Sequence, residues 1–237
     1  MLTHRSPSSV QRRTTPRGRS RGLSIIELLV GFAIGLFILS GAAAMFVSNI
    51  NSSRQLLLEA RINQDMRSAM DLITREIRRS AYWGNSLAGT LTAAGGSVAS
   101  PNPYSAVATT GTTELGYQYS RDVTENNALD AGTEQFGFRL NTTNNSIQMN
   151  IGGTWQEVTN TATLSIPNSG LSITPTVTAI DIRASCAKTC TANCPTVTVR
   201  TYDIVLTGNA VSNDALTRTL RSQVRMRNDT VAGVCPT

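Results

Sequence analysis

Two sets of residues in this chain can do chemistry. The first is Glu27, in Gly22-Leu23-Ser24-Ile25-Ile26-Glu27, directly before an apolar run from Leu28 to Val47. A carboxylate at the mouth of a lipid-suited segment costs roughly 2.5–3.5 kcal/mol to insert, so an acid there implies a function. The second set is Cys186, Cys190, Cys194 and Cys235, all beyond the apolar run. The single histidine, His4, precedes that run, which leaves a metal site without imidazole ligands. An even number of exported thiols reads as two disulfides. Three pairings are open, and each ties Cys235 to the 186–194 stretch.

No other constellation points to catalysis. Beyond His4 there is no histidine, which removes Ser-His-Asp and Cys-His schemes. There is no G-x-S-x-G, phosphate loop or H-E-x-x-H. Asp122, Glu125, Asp130 and Glu134 are scattered, and only folding could gather them into a calcium site or a carboxylate pair. Trp83 and Trp155 read as core or loop anchors. The expectation is a non-enzymatic protein with no cofactor and no metal.

Charge is unevenly placed. Six of the 21 Lys and Arg are arginines within residues 1–22, so the remainder balances the 15 acids. A neutral body disfavours nucleic-acid binding, which needs clustered cations. A basic end before an apolar span follows the positive-inside rule, placing residues 1–22 in the cytoplasm and the body outside. Residues 1–47 admit three readings. A cleaved secretory signal could end at Ala42-Ala43-Ala44, but the apolar run exceeds the usual h-region. A plain signal anchor explains the arginines and the length but neither Glu27 nor the border Gly22.

In the third reading, Gly22-Leu23-Ser24-Ile25-Ile26-Glu27 resembles the leader signal of the type IV pilin and pseudopilin superfamily. The resemblance implies a cut by prepilin peptidase between Gly22 and Leu23, methylation of the new amine at Leu23, and an acid, Glu27, at the fifth mature position. Leucine replaces the commoner phenylalanine or methionine at the first position. In a filament core, the Leu23 ammonium of one subunit can pair with Glu27 of its neighbour. Such a pair rewards one axial offset, because an unpaired charge in a low-dielectric setting is heavily penalised. The plainer alternative is that Glu27 snorkels to the interface.

The elements that position these residues follow from periodicity. No proline lies between Leu23 and Ser80, and Ile62, Met66, Ala69, Met70, Ile73 and Ile77 recur at three- and four-residue steps. This predicts one helix from Leu23 to Ala81, with a transmembrane or filament-core half at 23–47 and an amphipathic second half. The spacing of Asp71 and Arg75 predicts an i,i+4 pair. Gly31 and Gly35 form a G-x-x-x-G suited to close helix approach. Major pilins often carry a helix-melting proline near mid-span; Ala44 stands there instead.

Residues 85–113, rich in Gly, Ser, Thr, Ala and Asn, read as a loop. Beyond it the period becomes two. Strands are expected at 115–119, 136–140, 147–151, 154–158, 177–183, 197–206 and 216–227, with Gly152-Gly153 as a two-residue hairpin. In the last strand Leu220, Val224 and Met226 share one face, and Arg221, Arg225 and Arg227 the other. The result is an α+β protein. Its parts are a leader at 1–22, a long helix at 23–84 packed on an antiparallel sheet body, and a β-rich body at 114–237.

The leader signal, the helix exit Arg75-Glu76-Ile77-Arg78-Arg79-Ser80-Ala81-Tyr82-Trp83-Gly84 and the large β-rich body together resemble PilW-type minor pilins. The resemblance implies a low-abundance subunit that primes type IV pilus assembly in a tip complex. Its partners would be prepilin peptidase, other minor pilins and the major pilin, a tip adhesin, the inner-membrane assembly platform and, before assembly, the lipid bilayer. It would reside in the inner membrane and then in the extracellular pilus. Two rivals are a minor pseudopilin of a type II secretion system and a tip-displayed ligand-binding module.

Overall fold

The computed structural model describes residues 22–90 and 100–236. Residues 1–21 of the expected leader and residues 91–99 of the expected loop lie outside the described residues. Helix α1 spans Ile25–Arg79. The chain divides into two compact units, one ending at Ser53 and the other covering Arg54–Thr237.

In the first unit, α1 is exposed on every side, large apolar residues such as Ile25, Phe32, Phe37 and Phe46 included. The helix is long and apolar enough to cross a membrane.

Among the described residues the second unit holds ten strands in two antiparallel sheets. Strands β1 (Ala108–Thr110), β2 (Glu114–Gln118), β3 (Gln135–Asn141), β4 (Ser146–Ile151) and β5 (Thr154–Glu157) form the first, in that order. Gly152 and Gly153 both take positive φ, 59° and 89°, and close the β4–β5 hairpin with the twist a two-residue turn needs. The second sheet is built on β8 (Thr196–Ala210). One edge of β8 pairs with β7 (Leu171–Asp181) and β6 (Leu164–Ser165). The other edge pairs with β9 (Asn213–Arg225) and β10 (Thr230–Ala232).

The helical stripe Ile62, Met66, Ala69, Met70, Ile73 and Ile77 is buried in one core with Phe138, Ile147, Tyr202, Ile204 and Leu206 from the two sheets. Each such aliphatic side chain contributes about 1.5–3 kcal/mol by leaving water. Gly208 of β8 sets the approach, because a Cβ there would stand 3.4 Å from Met66 Sδ and 2.7 Å from Leu164 Cδ1. The architecture is the expected α+β one, a long helix on antiparallel sheet.

Local differences have simple causes. Strands β1, β6 and β10 are only two or three residues long, too short for a readable period. The stretch read as loop at 85–113 contains β1 and a 3-10 turn at Ser86–Gly89. β7 begins at Leu171, six residues before the expected start, and runs through Pro175, which is tolerated because among the described residues β8 is its only ladder partner. Arg75 lies against Glu76, 3.5 Å away, in place of the expected pairing with Asp71.

Candidate functional site

Gly22, Leu23 and Ser24 are non-helical, and helical geometry begins at Ile25. The Gly22–Leu23 bond therefore lies outside the helix, and Leu23 is 72% exposed. A Cβ at Gly22 would meet nothing within 4 Å. Packing among the described residues therefore does not demand glycine there. Glu27 sits in the first turn of α1, where a carboxylate faces the positive end of the helix dipole. It is exposed and makes no hydrogen bond or ion pair with another described residue. Gly31 and Gly35 also open onto empty space.

The helix exit is a second constellation, held by many bonds. Glu76, on the polar face by charge alone, is only 4% exposed and shares the inner face with Ile73 and Ile77. Its carboxylate accepts from Arg79 at 3.2 Å and from the Tyr119 hydroxyl at 3.2 Å. Arg79 lies over the Tyr119 ring, 4.5 Å from its centroid, and Tyr119 stacks on Phe136 at 4.1 Å. Burial, reinforced by the charge of Glu76, pushes the Tyr119 phenol up to about 12.

Two residues past α1, Ala81 takes φ of +61°, a left-handed conformation that terminates the helix. It is held from three directions. Its N–H donates to the Gln118 carbonyl at 2.8 Å, and its own carbonyl accepts from the side chains of Asn102 at 2.9 Å and Asn228 at 2.8 Å. Trp83 is buried and donates through Nε1 to Asn127 at 3.1 Å. Gly84 N–H donates to Glu125 at 2.9 Å, and a Cβ at Gly84 would stand 3.0 Å from that oxygen.

The loop acids are spent in the same way. Glu125 also accepts from the Tyr104 hydroxyl and the Asn127 N–H, each at 3.0 Å. Burial alone would raise its carboxyl, but these bonds together with that from Gly84 outweigh it and hold the group below the ordinary range. Glu134 is fully buried and accepts the backbone N–H groups of Arg121 and Asp130. Among the described residues no group of three His, Cys, Asp or Glu could hold a metal ion. Arg221, Arg225 and Arg227 are exposed while Val224 and Met226 are buried. Arg225 pairs with Asp229, and Arg227 lies over the Tyr82 ring.

The four cysteines form two bridges, Cys186–Cys235 and Cys190–Cys194. The first joins chain positions 49 residues apart and fastens the segment after β10 to the β7–β8 connection. Gly233 takes φ of +90° beside it, and a Cβ there would lie 2.5 Å from the Cys194 carbonyl oxygen.

A family model described as PpdB, prepilin peptidase-dependent protein B, matches residues 55–226. The chain belongs to that family. The PpdB match takes in the second half of α1, the helix exit and the strands through β9. Gly22, Leu23, Glu27 and Cys235 fall outside the matched span. PpdB membership, the apolar N-terminal helix and the α+β body make this a pilin-like protein. No curated protein and no solved structure matches it.

Proposed function

We propose that this chain is a minor pilin, cut by prepilin peptidase after Gly22 and methylated on Leu23, that helps prime type IV pilus assembly in a complex at the filament tip. The observation that carries the reading is the joining of two features in one chain. A PpdB body at 55–226 follows an exposed apolar helix whose first residues sit beside a glycine that local packing does not require. Cleavage creates an ammonium at Leu23. Glu27, without a partner among the described residues, is the acid that a neighbour's amine would meet. In the low-dielectric interior of a helical bundle that pair sets the axial register between subunits. Gly31 and Gly35 leave room for the neighbouring helices to approach. Glu125 and Glu134 of the body accept backbone N–H groups and its four cysteines are paired in bridges, which supports a structural role.

The deciding measurement is the N-terminal mass of the protein purified from its host. The reading requires methyl-Leu23. An intact Met1 overturns it. Gly22→Val should leave the arginine-rich leader attached, visible as the corresponding gain in mass.

A further inference from the structure

The outer face of the first sheet carries a trough. Cross-strand register aligns Ala108, Gly116, Gly137, Asn150 and Trp155 in one row running across β1 to β5. With two adjacent glycines in its middle, the row sinks into a depression of about 260 Å³. Trp155 stands at one end, its indole stacked under Arg139 with 4.1 Å to the ring centroid.

The two glycines are there for different reasons. At Gly137 a Cβ would come 2.9 Å from the Leu115 carbonyl oxygen and 3.4 Å from the Trp155 ring, so packing excludes a side chain. At Gly116 the nearest atom to a Cβ would be Ala108 Cβ at 3.5 Å, an ordinary contact, and the backbone is not left-handed. A side chain would fit. Glycine within a strand gives up roughly 0.5–1 kcal/mol relative to alanine, and it commonly marks close approach by a ligand. Beside it, Gln118 lines the same trough, and its Oε1 is buried without a hydrogen-bond partner. An orphaned acceptor of this kind lacks a donor that something else supplies.

We propose that this trough binds one ring of a neutral saccharide. The rim carries the side-chain amides of Gln118, Gln135 and Asn150 and the carboxylate of Glu114. Amides both donate and accept, which matches hydroxyls that do the same. The open floor at Gly116, beside the Trp155 ring that covers Gly137, suits the apolar face of a pyranose. Among the described residues no Lys, Arg or His lines the trough, so a phosphate-seeking ligand set is not present. Asn150 Oδ1 already accepts the Gly153 N–H at 2.8 Å, which leaves its amide NH2 to donate. The proposal rests on the trough's own residues and not on the assembly role.

The test uses the full-length protein in detergent, applied to a printed array of oligosaccharides ending in neutral hexoses and N-acetylhexosamines, with sialylated and sulfated glycans alongside. Wild type should bind neutral members. Gly116→Ala and Gln118→Leu should each weaken that binding at least tenfold while leaving the thermal midpoint unchanged or raised. A blank array, selective binding of the anionic glycans, or neutral binding that survives both substitutions overturns the proposal. So does a lowered midpoint in Gly116→Ala, because the fold itself would then require that glycine.

Discussion

Tyr119 donates its hydroxyl to Glu76 across 3.2 Å inside the body, joining the last turns of α1 to the residue that follows β2. The bond explains why an acid occupies the buried stripe of the helix. Its charge is balanced by Arg79, which also caps the Tyr119 ring. Hydrogen bonds to charged groups contribute about 1.5–3 kcal/mol. Glu76→Ala should therefore lower stability by about 2 kcal/mol in urea unfolding, with Glu76→Gln retaining part of it. A loss below about 0.5 kcal/mol for the alanine variant would remove Glu76 from the fold's supports.

The same contact predicts alkaline behaviour. Tyr119 is pushed up to about 12, above the ordinary tyrosine value near 10. The folded state therefore holds the proton more tightly than the unfolded state does. The associated stability is fully present below about pH 10 and is lost as pH rises through about 12. Tyr119→Phe should flatten the fall in the unfolding midpoint between neutral pH and about pH 11. An unchanged slope contradicts the assignment.

Ala81 gives a test of cooperativity. Its carbonyl has two side-chain donors, so Asn228→Ala should cost only about 1 kcal/mol, the other donor remaining. Removing both donors strands a carbonyl in a left-handed turn. The double variant Asn102→Ala/Asn228→Ala should lose more than the two single losses combined. Simple additivity in a double-mutant cycle refutes the shared-acceptor account.

Glu27 is tested through assembly. Glu27→Ala removes a charge from the apolar helix, so membrane insertion should persist or improve. Filament initiation should fall severalfold, read as surface filaments counted in cells whose minor pilin is the variant. Normal piliation by Glu27→Ala excludes the register role.

Acid should loosen the helix exit from its loop. Glu125 titrates below the ordinary carboxylate range, so its contribution is present above that range and is lost as pH falls through the folded value. Glu125→Gln should reduce the acid sensitivity of the fold, measured as unfolding midpoint against pH. An identical acid limb in the variant would count against the loop anchor.

Much of this architecture was legible from residue order. The three- and four-residue spacing from Ile62 to Ile77 marks the buried stripe because a long helix repeats it many times. Gly152-Gly153 marks a hairpin because only a turn with two positive φ values connects β4 to β5 so tightly. Glu76 was not legible as a buried residue, since its burial depends on Tyr119, 43 positions away. The row through Gly116 and Gly137 was hidden for the same reason, because it exists only once β2 and β3 are in register. By residue order Trp155 reads as an anchor, and it does cover Gly137, but its place at the end of a trough follows from the β4–β5 pairing. The choice among three cysteine pairings also needed the fold, which brings Cys235 beside Cys186.

Ala81 is fastened to Gln118 in the first sheet, to Asn102 in the connection before it, and to Asn228 between β9 and β10. It therefore works as a rivet through both layers. Displacing the end of α1 would strain the first sheet and the β9–β10 connection together, through the backbone of one residue.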